Sequence, residues 1–161
     1  MLVTTIYLAL GSNLGDRAEN IKQAIVDLAP EIVVMKTSPL YETTPLYIED
    51  QPTFFNMICE AETDLAAEEV LEKVIKLQTK ASAHEHNMPR VLDIDLIFYA
   101  DAVISTPSLT IPHPKFRERD FVLKPLVDIA PDLLDPVSMK TMRNLLAEIP
   151  GERRSIIRRV A

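Results

Sequence analysis

The chain has 161 residues, 47% hydrophobic and 25% charged, which suits one globular domain with a buried core and leaves no room for two of ordinary size. A formal net charge of −7 argues against a nucleic-acid-binding surface, which would carry a basic excess. One cysteine excludes an internal disulfide and points to a reducing compartment, and no apolar run approaches the ~20 residues of a membrane span. Met1–Leu10 lacks the basic start and cleavage site of a signal peptide, so a cytoplasmic monomer with no membrane or nucleic-acid partner is expected.

Thr4–Leu10 is rich in β-formers and reads as a strand ending in the loop Gly11-Ser12-Asn13-Leu14-Gly15. Asp16, three before Glu19, opens a helix with apolar residues Ile21, Ala24, Ile25 and Leu28, stopped by Pro30. Ile32–Met35, running on toward Tyr41, is a second strand, and Thr43–Pro52 is a long exposed loop. Phe54–Ala61 is a third strand, with Phe55, Met57 and Cys59 on one face and Phe54, Asn56 and Ile58 on the other. Cys59 packs there as a buried free thiol. Asp64 opens a second helix that turns Leu71, Val74 and Ile75 inward and sets Glu69 with Lys73, and Glu72 with Lys76, outside.

Residues 79–90 are polar and irregular, and Leu92–Tyr99 is the strongest strand signal in the chain. A hairpin at Asp101 leads to Val103-Ile104 and a proline-punctuated loop to Pro114; Phe121–Ala130 is helical and the rest a weakly patterned tail. The order β-α-β-β-α-β is the ferredoxin-like arrangement. We therefore expect an α+β fold over residues 1–161 as a single domain: a sheet with helices packed on one face, followed by a C-terminal extension.

The three glycines (Gly11, Gly15, Gly151) complete neither a Walker A loop nor a Gly-x-Gly-x-x-Gly turn. A nucleotide would have to be held by side chains and metal. Asp93-Ile94-Asp95 is the clearest constellation: period two puts both carboxylates on one face, roughly 6.5 Å apart. Two acids on an apolar strand are costly without a compensating cation, and Mg²⁺ prefers one or two carboxylates plus substrate phosphates. Read alone, the same pair is equally two solvated edge-strand acids.

Arg90 precedes the pair, and His113, Lys115, Arg117 and Arg119 follow it. These suit a polyphosphate or, taken alone, a solvated basic loop. Arg153, Arg154, Arg158 and Arg159 read as a disordered basic tail. His84-Glu85-His86 has two-residue spacing and no third ligand, which favours a loop over a metal site. Thr43-Thr44-Pro45-Leu46 with Phe54 and Asn56 offers polar backbone, an aromatic face and an amide, suited to a flat heterocycle, though composition alone says only that a loop meets a strand.

Taken in order, these segments resemble the 6-hydroxymethyl-7,8-dihydropterin pyrophosphokinase family. The resemblance runs through Tyr7-Leu8-Ala9-Leu10-Gly11-Ser12-Asn13-Leu14-Gly15-Asp16-Arg17, then Ser38 to Asn56. It continues through Pro89-Arg90-Val91-Leu92-Asp93-Ile94-Asp95-Leu96-Ile97, Ile111-Pro112-His113-Pro114 and Glu118-Arg119-Asp120-Phe121-Val122-Leu123. It implies Mg²⁺-dependent transfer of pyrophosphate from ATP to the pterin hydroxymethyl oxygen, releasing AMP, in folate biosynthesis. Asp93 and Asp95 would ligate two Mg²⁺ ions; Arg90, His113 and Arg119 would contact phosphates. Phe54 and Phe121 would sandwich the pterin ring, Asn56 would bond its edge, Thr43, Thr44 and Leu46 would supply backbone contacts, and Pro45 would belong to the same pterin-binding segment.

The family's ATP-closing loop carries paired arginines. Here Lys80 and Ser82 stand in their places, Asn87 replaces a tryptophan and Met88 a glycine. Lys80 would be the nucleotide contact of this altered lid, and a slow enzyme, or a pterin binder with little turnover, is the consequence expected.

Overall fold

The computed structural model describes residues 3–46, 50–81 and 91–161. Arg90, Ser82, His84, His86, Asn87 and Met88 lie outside the described residues. In chain order the first elements are β1 (Thr4–Ser12), α1 (Arg17–Leu28), β2 (Ile32–Thr37), β3 (Tyr41–Thr43), β4 (Phe54–Thr63) and α2 (Ala67–Ala81). They are followed by β5 (Asp93–Tyr99), β6 (Ile104–Ser105), β7 (Thr110–Ile111), α3 (Asp120–Ile129), α4 (Met142–Ala147) and β8 (Ile156–Arg159).

Asp16 caps α1 as its spacing from Glu19 requires, its carboxylate accepting the Glu19 N–H at 3.2 Å. In α2 the buried stripe is Ala67, Val70, Val74 and Leu77, so Ile75, expected inward, sits one position off the stripe and is 50% exposed.

The sheet runs β5-β1-β4-β3-β8, and β2 also pairs with β4. All its pairings are antiparallel. The outer strand against β4 is broken in two. β2 lies along Cys59–Thr63 and β3 along Phe54–Asn56. Ser38 carries the ladder across the break: its N–H donates to Ile58 O and its Oγ accepts the Ile58 N–H, both at 2.9 Å. Pro39, which has no N–H to give, follows at once.

Strand residues of both phases are apolar, so each face of the sheet needs its own cover. Leu8, Leu10, Cys59, Ala61, Ile94 and Leu96 pack with Ile21 and Leu28 of α1 and Val70 and Val74 of α2. Tyr7, Ile58, Ile97 and Phe98 pack on the other face with Phe116, Val122, Leu123 and Leu126, joined by Met142 and Leu145 of α4. The helices thus lie on both faces rather than the single one expected. A register shift beside Tyr7 and Leu8 makes the second core possible, because it leaves Leu96 on one side and both Ile97 and Phe98 on the other.

Two further readings are corrected. The turn at Ala100–Asp101 exists, with the Ala102 N–H on Tyr99 O at 3.0 Å, but β6 pairs with β7 instead of folding back on β5. The Thr106–Leu109 turn, closed by reciprocal backbone bonds, sets that small hairpin. The tail is ordered: β8 pairs with β3, Arg158 Nε donates to Glu42 Oε1 at 2.8 Å, and Arg154 Nη2 bonds Leu146 O and Ile149 O. Backbone pairing and charge hold this segment, and neither leaves an apolar period in the sequence.

Candidate active site

Antiparallel register assembles the site row by row. Asp93 lies opposite Gly11, Gly11 opposite Asn56, and Asn56 opposite Tyr41; one row along, Asp95 lies opposite Ala9 and Ala9 opposite Ile58. Period two brings Asp93, Asp95 and Asn56 to the face shared with Tyr7 and Ile58, while Ile94 is buried in the opposite core. Asp93 and Asp95 are half-buried. The start of β5 is anchored from outside the sheet, the Ile94 N–H donating to Gln78 Oε1 of α2 at 2.6 Å.

Gly11 is glycine for reasons of space. A Cβ there would stand 2.6 Å from Asn56 Oδ1. Asn56 therefore lies across the β1 backbone and donates from Nδ2 to Thr43 Oγ1 at 2.8 Å. Thr43 is buried and pairs with Phe54, which is half-buried on the same strand as Asn56. The Thr44 N–H donates to Ser155 O at 2.9 Å, so that amide is committed to the chain's own C-terminal segment; Pro45 is half-buried and Leu46 exposed.

Opposite this row stands the beginning of α3. Arg119, its N-cap residue, places Nη1 4.0 Å from Asp95 Oδ2 and its guanidinium 5.6 Å from the Phe121 ring centroid. Phe121 is half-buried. The backbone N–H of His113 donates to Ile97 O at 3.0 Å, and its Nδ1 accepts the Lys115 N–H at 3.2 Å. That bond puts the ring proton on Nε2. Burial, with Arg119 and Lys115 adding to it, pushes the ring from 6.5 down to about 4, so His113 is neutral at pH 7 and offers an N–H without a charge.

Asp93, Asp95, Asn56, Thr43, Phe54, His113, Arg119 and Phe121 thus come to one side of the sheet, fixed by register and by the start of α3. Lys80 is placed elsewhere. It lines a cavity of about 360 Å³ between α1 and α2 with Asn20, Gln23, Asp27, Leu77 and Leu92, and none of the residues just named borders that cavity. Arg117, grouped with the basic loop, bonds Asp135 twice, Nε to Oδ2 at 2.6 Å and Nη2 to Oδ1 at 2.9 Å. Asp135 is fully buried, which by itself pushes its carboxyl up, but the bonds from Arg117, the Ser138 hydroxyl and the Val137 N–H outweigh burial and hold it down at about 2.

Sequence reasoning passed over three residues that shape this side: Gly11, Asp120 and Ser155. Gly11 and Asp120 sit inside the quoted motifs, which was the available signal. Ser155 lies between basic residues and carries none.

The family model of 7,8-dihydro-6-hydroxymethylpterin-pyrophosphokinase (HPPK) matches residues 7–131. Among solved structures, wild-type Plasmodium falciparum HPPK-DHPS with pteroate has a TM-score of 0.77 at 16% identity, over 91% of this chain and 44% of that one, a similarity of fold. Among curated relatives, the chain is 36% identical over 148 residues to the 2-amino-4-hydroxy-6-hydroxymethyldihydropteridine pyrophosphokinase of Aquifex aeolicus, covering 91% of this chain and 92% of that protein. It is also 43% identical over 136 residues to folic acid synthesis protein fol1 of Pneumocystis carinii, covering 83% of this chain. It spans only 18–22% of the length of that protein and of two further folic acid synthesis proteins. The chain belongs to the 7,8-dihydro-6-hydroxymethylpterin-pyrophosphokinase family.

Proposed function

We propose that the chain, as a single domain, transfers pyrophosphate from ATP to the hydroxymethyl oxygen of 6-hydroxymethyl-7,8-dihydropterin, with Mg²⁺ as the cofactor. The observation that carries this reading is the juxtaposition of Asp93 and Asp95, from β5, with Arg119 at the start of α3 and with the Gly11–Asn56–Thr43 row. Carboxylates, a cation and an amide recess thereby share one side of the sheet. The strand order β5-β1-β4-β2 supports the ferredoxin-like description of the core, and the C-terminal segment through β8 is its extension.

The donor set fits magnesium. Two half-buried carboxylates share a face, and the described residues hold no group of three or more His, Cys, Asp or Glu that would make a closed metal cage. Mg²⁺ takes few protein ligands and completes its shell with water and phosphate oxygens. When bound it supplies charge for the phosphates; Asp93 and Asp95 would hold two ions.

In the reaction the hydroxymethyl oxygen bonds the β-phosphorus and gives up its proton to water, while the bond from that phosphorus to the α,β-bridging oxygen breaks and its electron pair leaves with AMP. Such transfers depend on positioning and charge neutralisation. Arg119 supplies a guanidinium for phosphate oxygens, and neutral His113 donates from Nε2 without repelling the metal. Asn56, its amide oriented by Thr43, reads the polar edge of the pterin, while Phe54 and Phe121 meet its faces. Arg90 and Lys80 are the phosphate and nucleotide contacts that the family resemblance implies; Lys80 stands apart from the carboxylate row, at the cavity between α1 and α2.

No helix among the described residues is long and apolar enough to cross a membrane. A cytoplasmic monomer, acting on these two small molecules without nucleic acid or membrane, is part of the same reading. The test is AMP release from ATP in the presence of the pterin, with and without Mg²⁺. Pterin-dependent AMP that vanishes on chelation is the expected result; pterin binding with no AMP would favour the low-turnover relative that the Lys80 and Ser82 replacements suggest.

A further inference from the structure

We propose that Asp120 and Ser155 form a positioning clamp that keeps the two walls of the pterin cleft in register; the proposal rests on the pterin-site reading above. Asp120 stands between Arg119 and Phe121 in sequence, yet its side chain turns away from the site and is 2% exposed. Its Oδ1 accepts the Ser155 hydroxyl at 2.5 Å, and its Oδ2 accepts the backbone N–H of Ser155 at 2.8 Å and of Ile156 at 3.2 Å. Ser155, 4% exposed, uses its carbonyl to accept the Thr44 N–H at 2.9 Å.

A continuous path therefore joins Phe121 to Thr44 through one carboxylate and one serine. One end of the path is the proposed aromatic wall; the other is the Thr43–Leu46 border. A buried carboxylate with three donors is held more strongly than a neutral acceptor would be, and losing it strands those donors. The far end of α3 is tied to the same strand edge, because the Tyr41 hydroxyl of β3 donates to Asp128. The Lys124 ammonium steadies that acid at 3.0 Å. Hung from β3 and β8 at both ends, α3 has its N-terminal position fixed by the clamp.

The phosphate side is held differently. His113 is tied to Ile97 of β5 by its own backbone, and Arg119 approaches Asp95. Loss of the clamp should accordingly loosen the pterin wall most; Arg119 shares the start of α3 but also faces Asp95 and should shift less, and His113, tied to β5, should stay in place. A residue that merely supports the fold would weaken both ligands together.

The experiment compares Asp120→Ala, Asp120→Asn, Ser155→Ala and the Asp120→Asn/Ser155→Ala double variant. Calorimetric titration reads binding of 6-hydroxymethyl-7,8-dihydropterin and, separately, of a non-hydrolysable ATP analogue with Mg²⁺. Asp120→Ala should raise the pterin Kd about tenfold or more and the nucleotide Kd less than about twofold. Asp120→Asn can keep its oxygen on the two amides and turn its NH₂ to the Ser155 hydroxyl, so it should stay within about threefold for both ligands. Ser155→Ala keeps both amide bonds and should do the same.

The double variant removes the partner of that NH₂ and should fall between, which keeps the proposal falsifiable if Asp120→Ala fails to fold. Equal losses for both ligands, or no pterin loss in either Asp120→Ala or the double variant, overturns the clamp. If the unaltered chain binds no pterin, the site reading itself has failed and the clamp falls with it.

Discussion

The face of the sheet under α1 and α2 is sealed along its length: Leu8, Leu10, Ile94 and Leu96 meet Ile21, Leu28, Val70 and Val74, and nearly all of these are excluded from solvent. The opposite face changes character partway. Tyr7, Ile58, Ile97 and Phe98 are sealed beneath α3 and α4, but Asn56, Phe54, Asp93 and Asp95 remain half-buried around the first residues of α3. The same strands supply both faces, so strand identity does not separate core from site. Where the second helical layer begins does. One face shows what the sheet needs to be stable, and the other shows where that cover is withheld and polar side chains become usable.

The strongest way to break this comparison is to neutralise the uncovered face. Asp93→Asn and Asp95→Asn should each lower Mg²⁺-dependent turnover by about 10²–10³-fold, the scale of losing one charge-stabilising group. The melting temperature should hardly move, because both side chains are half exposed. Near-wild-type turnover in both variants would sink the metal-holding role of these acids.

Phe121→Ala should weaken pterin binding by about 1–3 kcal/mol, if it behaves as other ring–aromatic stacks do. Nucleotide affinity should change less, and equal losses for both ligands would return Phe121 to the core. Gly11→Ala sharpens the point about space. The added Cβ must displace Asn56 from its place over β1, so the bond to Thr43 is lost and pterin affinity falls by about 0.5–1.5 kcal/mol. A crystal structure of this variant with Asn56 unmoved would overturn that account.

The smallest expected effect is a pH dependence. His113 titrates at about 4 in the folded chain against 6.5 ordinarily, and only the unfolded chain takes up its proton between those values. Its contribution to stability is therefore complete above about 6.5 and declines as the pH falls toward 4. His113→Gln should flatten the urea midpoint between pH 7 and 4, and an unchanged slope would show that the ring is not buried in its neutral form.

Much of this arrangement was legible beforehand because it rests on local rules. The Asp16 cap, the two faces of β4 and the shared face of Asp93 and Asp95 follow from spacing alone. What escaped depends on pairings distant in sequence. Nothing near Ser155 announces that it will meet Asp120, 35 residues away. Arg117 is indistinguishable in sequence from its basic neighbours, and only the fold brings Asp135 against its guanidinium. Ile75 and Val74 are adjacent apolar residues that differ by one position in helical phase, and only the packing of α2 selects Val74 as the buried one.

The pairing of β8 on β3 also governs how far the sheet can grow. An open strand edge is a template on which another chain can add. β8 covers the edge of β3 through Tyr41–Arg159, Glu42–Arg158 and Thr43–Ile156, and among the described residues it ends that side of the sheet. The new edge is only 4 residues long and carries two arginines. Short, charged edges discourage further addition. On this side the sheet therefore ends in a short, arginine-bearing strand instead of the open edge of β3.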